Sequence, residues 1–217
     1  IYPPQRRPRP YIYSAAEIDD LLATMPALHR SGLQGRTYQC FFGLLAVAGL
    51  RFTEAANLTR HDADLEHGVL TIRETKFGKS RIIPLHPTTI DALAAYVAER
   101  DVCPVRRRGD YFFTGDRGAG LNHANVHKSF AVWTRRAGLR SLNQRRGPRI
   151  HDLRHTFAVR TLIGWYRDGE DVERRLPALA TYLGHTHLRD TYWYFTASQE
   201  LLDHARMRLD ARWEATA

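Results

Sequence analysis

Residues 148–160 read PRIHDLRHTFAVR, and this stretch predicts a helix that begins near His151. His151 and Arg154 are three positions apart and therefore lie on one face of this helix, where a single phosphate can contact both side chains. A second stretch, residues 183–195, reads LGHTHLRDTYWYF. Together the two stretches concentrate histidine, arginine and tyrosine, whose side chains bind phosphate and transfer protons.

Two earlier stretches add further candidate groups. Residues 48–58 read AGLRFTEAANL and place Arg51 just after a helix that is apolar on almost every side. Residues 74–86 read ETKFGKSRIIPLH, and we predict a hairpin here with strands over 69–75 and 81–85.

The rest of the chain is predicted to be mostly helical, with loops between the helices. Ser14 and Glu17 form a capping box at the start of the first helix. Gly184 ends a helix near residue 183, so that His185 follows at a helix end from which an imidazole can project. Including these, helices are predicted over residues 15–25, 37–48, 53–58, 87–101, 122–137, 176–183 and 199–213, besides the one that begins near residue 151.

The charge of the chain points to a polyanionic partner. Its 217 residues include 32 Lys and Arg against 23 Asp and Glu, which gives a formal net charge of +9. Such an excess most often indicates nucleic acid binding. Only three of the basic residues are lysines, namely Lys76, Lys79 and Lys128, and two of them fall in the predicted hairpin.

The residue types suit cleavage of a phosphodiester without a metal ion. Such a reaction needs fixed cations around the non-bridging oxygens as charge builds up, and planar guanidinium groups such as those of Arg51 and Arg154 supply paired donors. The leaving oxygen needs a titratable acid, and arginine serves poorly because its pKa exceeds about 12. A lysine of the hairpin is therefore the candidate acid.

These four stretches, in this order, resemble the tyrosine recombinase (phage integrase) family, and the resemblance runs from about residue 14 to the end of the chain. It implies a catalytic-domain fold that is mainly α-helical with a small antiparallel β-sheet. It also implies six catalytic residues, which are Arg51, Lys76, His151, Arg154, His185 and Tyr194.

The resemblance assigns a role to each group. Tyr194 attacks the phosphate and forms a 3′-phosphotyrosyl link, while Lys76 protonates the departing 5′-hydroxyl. His151 assists proton movement at the tyrosine hydroxyl, and His185 donates a hydrogen bond to the phosphate. Glu54 matches an acidic family position and is expected to hold the Arg51 guanidinium in place.

Alternatives remain at several of these positions. Lys79 competes with Lys76 for the role of the acid, and the neighbouring Tyr192 competes with Tyr194 for that of the nucleophile. His151 and His155 have the spacing of a zinc-binding pair on a helix, but no familiar third ligand completes it, so we expect no metal and no cofactor.

Seven other basic residues are candidate DNA contacts, with solvated loops as the alternative for the arginine runs. They are Lys79, Arg81, Arg106, Arg107, Arg108, Arg145 and Arg146.

The expected domain organisation is a linker followed by one domain. Residues 1–13 hold four of the ten prolines and three arginines, which suits an extended basic linker, and residues 14–217 form the catalytic domain. An upstream DNA-binding domain is expected to be absent. The C-terminal helix over 199–213 has an apolar stripe of Leu202, Ala205, Leu209 and Trp213 that packs either on its own domain or on a neighbour in a tetramer on DNA.

The sequence therefore predicts the catalytic domain of a site-specific DNA recombinase or integrase, of the kind found in bacteria or mobile elements. A type IB topoisomerase-like enzyme and a catalytically silent DNA-binding relative are the alternatives. The longest apolar run, over residues 40–50, is too short to span a membrane, and two cysteines suggest no disulfide framework. We accordingly expect a cytoplasmic, nucleoid-associated protein that binds double-stranded DNA.

Overall fold

The computed structural model describes residues 9–28, 32–73, 80–141, 147–196 and 198–214. Its α-helices are Ala15–Thr24 (α1), Gly32–Ala48 (α2), Phe52–Ala56 (α3), Pro87–Val102 (α4), His123–Arg136 (α5), Ile150–Arg167 (α6), Val172–Leu183 (α7), Arg189–Tyr192 (α8) and Gln199–Glu214 (α9). Short 3-10 turns cover Pro26–Leu28, Arg60–Asp62 and Trp193–Thr196. The predicted fold class, mainly α-helical with a small antiparallel sheet, is confirmed.

The sheet has three strands in the order β1-β2-β3, all antiparallel. The strands are Ala63–Asp64 (β1), Val69–Ile72 (β2) and Arg81–Pro84 (β3), so both predicted strands of the hairpin are present but shorter than expected. Strand β1 was not predicted, because two residues are too few to show an alternating pattern. The connection over residues 74–79 lies outside the described residues.

Two helices begin earlier than the sequence suggests. Helix α2 starts at Gly32, five residues before the predicted start at Thr37. Its Gly35 packs so closely on the preceding turn that a Cβ atom there would lie 2.6 Å from Cα of Pro26, so glycine reflects packing here and not a break in the helix. Helix α7 starts at Val172 because the Asp171 side chain caps it.

Among the described residues two hydrophobic clusters form the core, and α6 belongs to both. The larger one surrounds α2, where Phe42 packs on Trp133 with ring centroids 5.5 Å apart, and it includes Leu153 of α6. The smaller one joins Leu162 of α6 to residues of α7 and α9 and to the Trp193–Thr196 turn. As predicted, α2 is buried along most of its length.

Tyr13, the last residue of the predicted linker, packs against α6. Tyr13 is 1% exposed, and its backbone N–H donates to Oγ1 of Thr156 at 3.0 Å. Nη2 of Arg160 donates to the Tyr13 carbonyl at 3.1 Å, and the Tyr13 hydroxyl donates to the Arg149 carbonyl.

No helix in the described part of the chain combines the length and the apolar character that crossing a bilayer requires.

Candidate active site

Arg154 joins three parts of the chain at the centre of the site. Its side chain is 2% exposed, Nη1 donates to the Gly49 carbonyl at 2.7 Å, and Nη2 donates to the Leu183 carbonyl at 2.5 Å. These carbonyls belong to the C-terminal ends of α2 and α7, where helix carbonyls lack partners within the helix. Burial, reinforced by the nearby charge of Arg51, lowers the pKa of Arg154 to about 10, so that it remains charged at neutral pH.

Arg51 directly precedes α3 and is oriented by two neighbours. Nη1 donates to Oε1 of Glu54 at 2.7 Å, and Nη2 donates to the Gly184 carbonyl at 2.7 Å. The backbone N–H of Arg51 donates to the other oxygen of Glu54 at 2.9 Å. Since the Arg51 side chain is still 30% exposed, the guanidinium is fixed in direction and open to a ligand.

Glu54 is shared by two arginines. Nη1 and Nη2 of Arg81 donate to its two oxygens at 3.1 and 2.8 Å, and Nη1 of Arg51 donates to Oε1 as well. Burial alone would raise the pKa of Glu54, but the hydrogen bonds from Arg81 and Arg51 outweigh it and lower the pKa to about 2. The carboxylate is therefore ionised at all ordinary pH values.

Gly184 allows the two arginines to approach the end of α7. Its φ of +67° is a left-handed conformation that glycine adopts without strain. A Cβ atom at this position would lie 2.9 Å from Nη1 of Arg81 and 3.2 Å from Nη1 of Arg51. A larger residue at this position would be strained by the left-handed backbone and would push the two guanidinium groups away from the turn that leads into His185.

His185 is half-buried beside the candidate nucleophile. Its Nδ1 lies 2.8 Å from Oγ1 of the buried Thr191, and its ring stacks on Tyr194 with centroids 6.1 Å apart. The pKa of His185 is lowered to about 4, chiefly because the ring is partly buried and also because Arg154 and Arg51 place positive charge beside it. Thr191 orients this imidazole, and the sequence carried no signal for that contact because an isolated threonine is chemically unremarkable.

Tyr194 lies in the 3-10 turn after α8 and is 2% exposed. Burial raises the pKa of its hydroxyl, and the charge and hydrogen bond of Arg154 oppose that rise. By contrast, Tyr192 is 49% exposed and lies two residues earlier in α8. Of the two candidate tyrosines, Tyr194 is therefore the one that the structure places beside Arg154 and His185.

His151 and His155 form the edge of the site on α6. Their rings pack edge to face with centroids 4.5 Å apart, and His155 also contacts the Tyr194 ring at 5.6 Å. His151 is exposed to solvent on one side. Its pKa is lowered to about 4, because the rest of the ring is enclosed and because the charge of Arg154 lies nearby. At neutral pH His151 is thus a neutral imidazole.

The structure brings together five of the six predicted catalytic residues, with Glu54 beside them. They are Arg51, His151, Arg154, His185 and Tyr194. The sixth, Lys76, and its alternative Lys79 lie outside the described residues, as do Arg145 and Arg146.

The other predicted DNA contacts have different surroundings. Arg106 and Arg108 are exposed, whereas Arg107 donates from Nη2 to Oδ1 of Asp101 at 2.7 Å. Arg81 is only 10% exposed and lies inside the candidate site, a position that the sequence did not reveal.

Glu54→Gln should make the free energy of unfolding depend less on pH in the acid range. The folded-state pKa of Glu54 is lowered, so its stabilising effect is complete above about pH 4.5 and is lost as pH falls toward about 2. We expect the variant to lose about 3 kcal/mol of unfolding free energy at pH 6, and the difference from the parent to shrink between about pH 4.5 and 2.

Urea denaturation across this pH range measures the effect. Glu99→Gln is the matched control, because Glu99 forms an exposed ion pair with Arg36 and should contribute under about 1 kcal/mol. A Glu54→Gln deficit that stays constant down to pH 3 would contradict the assigned ionisation of Glu54.

Comparison with known proteins agrees with this geometry. The profile of the phage integrase family matches residues 13–201. The Sinorhizobium fredii protein y4rB, which carries the name integrase/recombinase, is 46% identical over 214 residues, covering 96% of this chain and 68% of that protein. Tyrosine recombinase XerA of Thermococcus kodakarensis is 28% identical over 94% of this chain and 64% of its own length. This chain thus spans about two thirds of these relatives.

Solved structures share the fold. A crystal structure of XerA recombinase superposes with a TM-score of 0.70 at 22% identity, over 95% of this chain and 65% of that one. The catalytic domain of bacteriophage HP1 integrase superposes with a TM-score of 0.56 at 21% identity, over 91% of this chain and 94% of that domain. On the extent of the family match and the identity to y4rB, this chain belongs to the phage integrase family.

Proposed function

We propose that this chain is the catalytic domain of a site-specific tyrosine recombinase, which cuts and rejoins DNA strands through a 3′-phosphotyrosyl intermediate. The observation that carries this proposal is the convergence of Arg51, Arg154 and His185 on the buried hydroxyl of Tyr194. Two fixed guanidinium groups beside one nucleophile match the demands of phosphoryl transfer, in which charge on the non-bridging oxygens must be stabilised.

In the proposed reaction, Arg51 and Arg154 hold the scissile phosphate. Each guanidinium is oriented by hydrogen bonds to the protein, so little reorganisation is needed when charge develops on the phosphate. His185 adds a third donor. When the Thr191 hydroxyl donates to Nδ1, the ring proton is on Nε2, which is the nitrogen that can donate to a phosphate oxygen.

The proton of the nucleophile needs an acceptor. The raised pKa of Tyr194 means that the hydroxyl stays protonated until it attacks. His151 is the candidate base, since its lowered pKa leaves it neutral and able to accept a proton at neutral pH. The bond from phosphorus to the 5′-oxygen breaks as the tyrosine bond forms, and a 5′-hydroxyl of DNA reverses the step.

Lys76 is the proposed general acid for the 5′-oxygen, and Lys79 the proposed phosphate contact. The support is the resemblance of the ETKFGKS segment, together with the antiparallel strands β2 and β3 that flank it. An ammonium group can give up a proton that a guanidinium retains.

Double-stranded DNA is the proposed substrate. Two structural relatives support it: XerH recombinase was solved bound to its difH substrate, and the Tn1549 transposon integrase was solved with DNA of a circular intermediate. The exposed Arg106 and Arg108, with Arg145 and Arg146, are proposed to contact the phosphate backbone. A DNA substrate also implies association with the nucleoid.

A second copy of the chain is the proposed partner of α9. The helix packs on its own domain through the buried Leu201 and an Arg167–Glu200 ion pair of 2.8 Å, yet Leu202 and Leu209 are 44% and 52% exposed. Beside it, a groove of about 740 Å³ is lined by residues that include Leu209 and Tyr192. Contacts in this groove would affect the turn that carries Tyr194, because Tyr192 precedes that turn.

Tyr194→Phe should abolish the covalent protein-DNA product, because it removes the hydroxyl that hydrogen-bonds Arg154 and is proposed to attack the phosphate. The measurement uses a nicked suicide substrate, from which the short released strand diffuses away, and denaturing gel electrophoresis. Tyr192→Phe is the control and should keep the adduct, since Tyr192 is 49% exposed. An adduct of undiminished yield with Tyr194→Phe would refute the assigned nucleophile.

Lys76→Ala should slow cleavage by about 10²-fold or more, in line with the usual contribution of a general acid. A 5′-bridging phosphorothiolate substrate should restore the rate, because the thiolate leaves without protonation. Lys79→Ala should show a smaller loss with no such rescue. If the sulfur substrate fails to rescue Lys76→Ala, Lys76 is not the acid.

The double variant Leu202→Asp, Leu209→Asp should bind and cleave single sites but assemble paired-site complexes at least tenfold less well. Sedimentation of protein bound to DNA sites measures the assembly. Val102→Asp, at a position 83% exposed on α4, is the matched control and should assemble normally. Normal assembly of the double variant would exclude this face of α9.

A further inference from the structure

We infer that Arg81 is a positioning residue that holds Arg51 and the turn before His185 in their active arrangement, and that it is not a contact to the DNA backbone. This inference rests on the proposed recombinase function and adds a residue to its machinery.

All three nitrogen atoms of the Arg81 guanidinium donate hydrogen bonds within the protein. Nη1 and Nη2 donate to the two oxygens of Glu54 at 3.1 and 2.8 Å, and Nε donates to the Tyr182 carbonyl at 2.7 Å. The side chain is only 10% exposed. A guanidinium in this position has a fixed plane and little surface with which to follow a DNA strand.

Arg81 and Arg51 divide the hydrogen bonds of Glu54 between them. Oε1 accepts from Nη1 of Arg51 at 2.7 Å and from Nη1 of Arg81 at 3.1 Å, while Oε2 accepts from the Arg51 backbone at 2.9 Å and from Nη2 of Arg81 at 2.8 Å. Removing Arg81 takes away one partner of each oxygen. The carboxylate is then held by Arg51 alone, and the direction of the Arg51 guanidinium is less tightly fixed.

The same guanidinium supports the end of α7. It bonds the Tyr182 carbonyl, and a Cβ atom on Gly184 would lie only 2.9 Å from its Nη1. Arg51 completes the contact by donating to the Gly184 carbonyl at 2.7 Å. Since His185 follows Gly184 directly, a shift of Arg81 displaces the backbone that carries this imidazole.

Lysine cannot replace arginine in this role. An ammonium group is a point charge on a flexible stem, whereas these contacts need three N–H groups in one plane aimed at two carboxylate oxygens and a carbonyl. Both Arg81→Met and Arg81→Lys should therefore disturb the site, although the second keeps the positive charge.

The test separates the rate of chemistry from the strength of DNA binding. Single-turnover formation of the covalent adduct is measured on the suicide substrate at saturating DNA, and the Kd for DNA is measured by titration at several salt concentrations. We expect both variants to lower the saturated rate by about 10²-fold, the usual effect of misplacing a catalytic group by about 1 Å, with Kd changed less than about threefold.

Arg73→Met is the matched control. Arg73 lies just beyond β2, on the other side of the same hairpin, and its Nε donates to the buried Asp62 at 2.6 Å, with a side chain 63% exposed. This variant also loses an arginine-carboxylate pair and one positive charge, but it should leave the saturated rate unchanged.

Two results would overturn the inference. In the first, the saturated rate is unchanged, the Kd for DNA rises, and the slope of log Kd against log salt concentration falls by about one. Arg81 would then be a contact to the DNA backbone. Melting temperatures below the assay temperature for both variants would make it a residue needed for folding. Failure of the parent protein to form any adduct would instead reject the proposed function itself.

Discussion

The buried guanidinium of Arg154 is the interaction on which the site depends. It bonds carbonyl groups at the C-terminal ends of α2 and α7 while itself belonging to α6, so three helices meet at one charge. Burying a charge is costly unless it is paired, and the partners of Arg154 among the described residues are two carbonyl dipoles at helix ends and the Tyr194 hydroxyl, none of which carries a full negative charge. The arrangement therefore leaves a net positive centre, which an anionic phosphate would compensate.

This positive centre changes the pKa values of the surrounding groups. The histidines beside Arg154 and Arg51 have lowered pKa values and are neutral at pH 7, which separates their role as proton carriers from the role of the arginines as fixed cations. Glu54 offsets part of the charge and stays ionised, so that Arg51 and Arg81 can lie close to one carboxylate. The site thus holds its cations together before any substrate is present.

Much of the fold and of the site could be predicted, because the relevant signals are local in sequence. The spacing of His151 and Arg154 placed them on one helix face, and the order of Arg51, hairpin, His-x-x-Arg, His and Tyr identified the family. The burial of Arg81 could not be predicted, since strand alternation does not reveal which carboxylate or helix end a strand residue will meet. The start of α2 at Gly32, five residues before the predicted start, could not be predicted either, since the close packing of Gly35 on Pro26 is a tertiary contact.

The attachment of Tyr13 to α6 has a mechanical consequence. The Tyr13 N–H and carbonyl are both bonded to α6 side chains, and its ring is buried, so the chain entering the domain is tied to the helix by its main chain. A force applied to the chain at Tyr13 is carried to α6 through these two hydrogen bonds. Since α6 bears His151 and Arg154, tension in the entering segment acts directly on the helix that would hold the scissile phosphate.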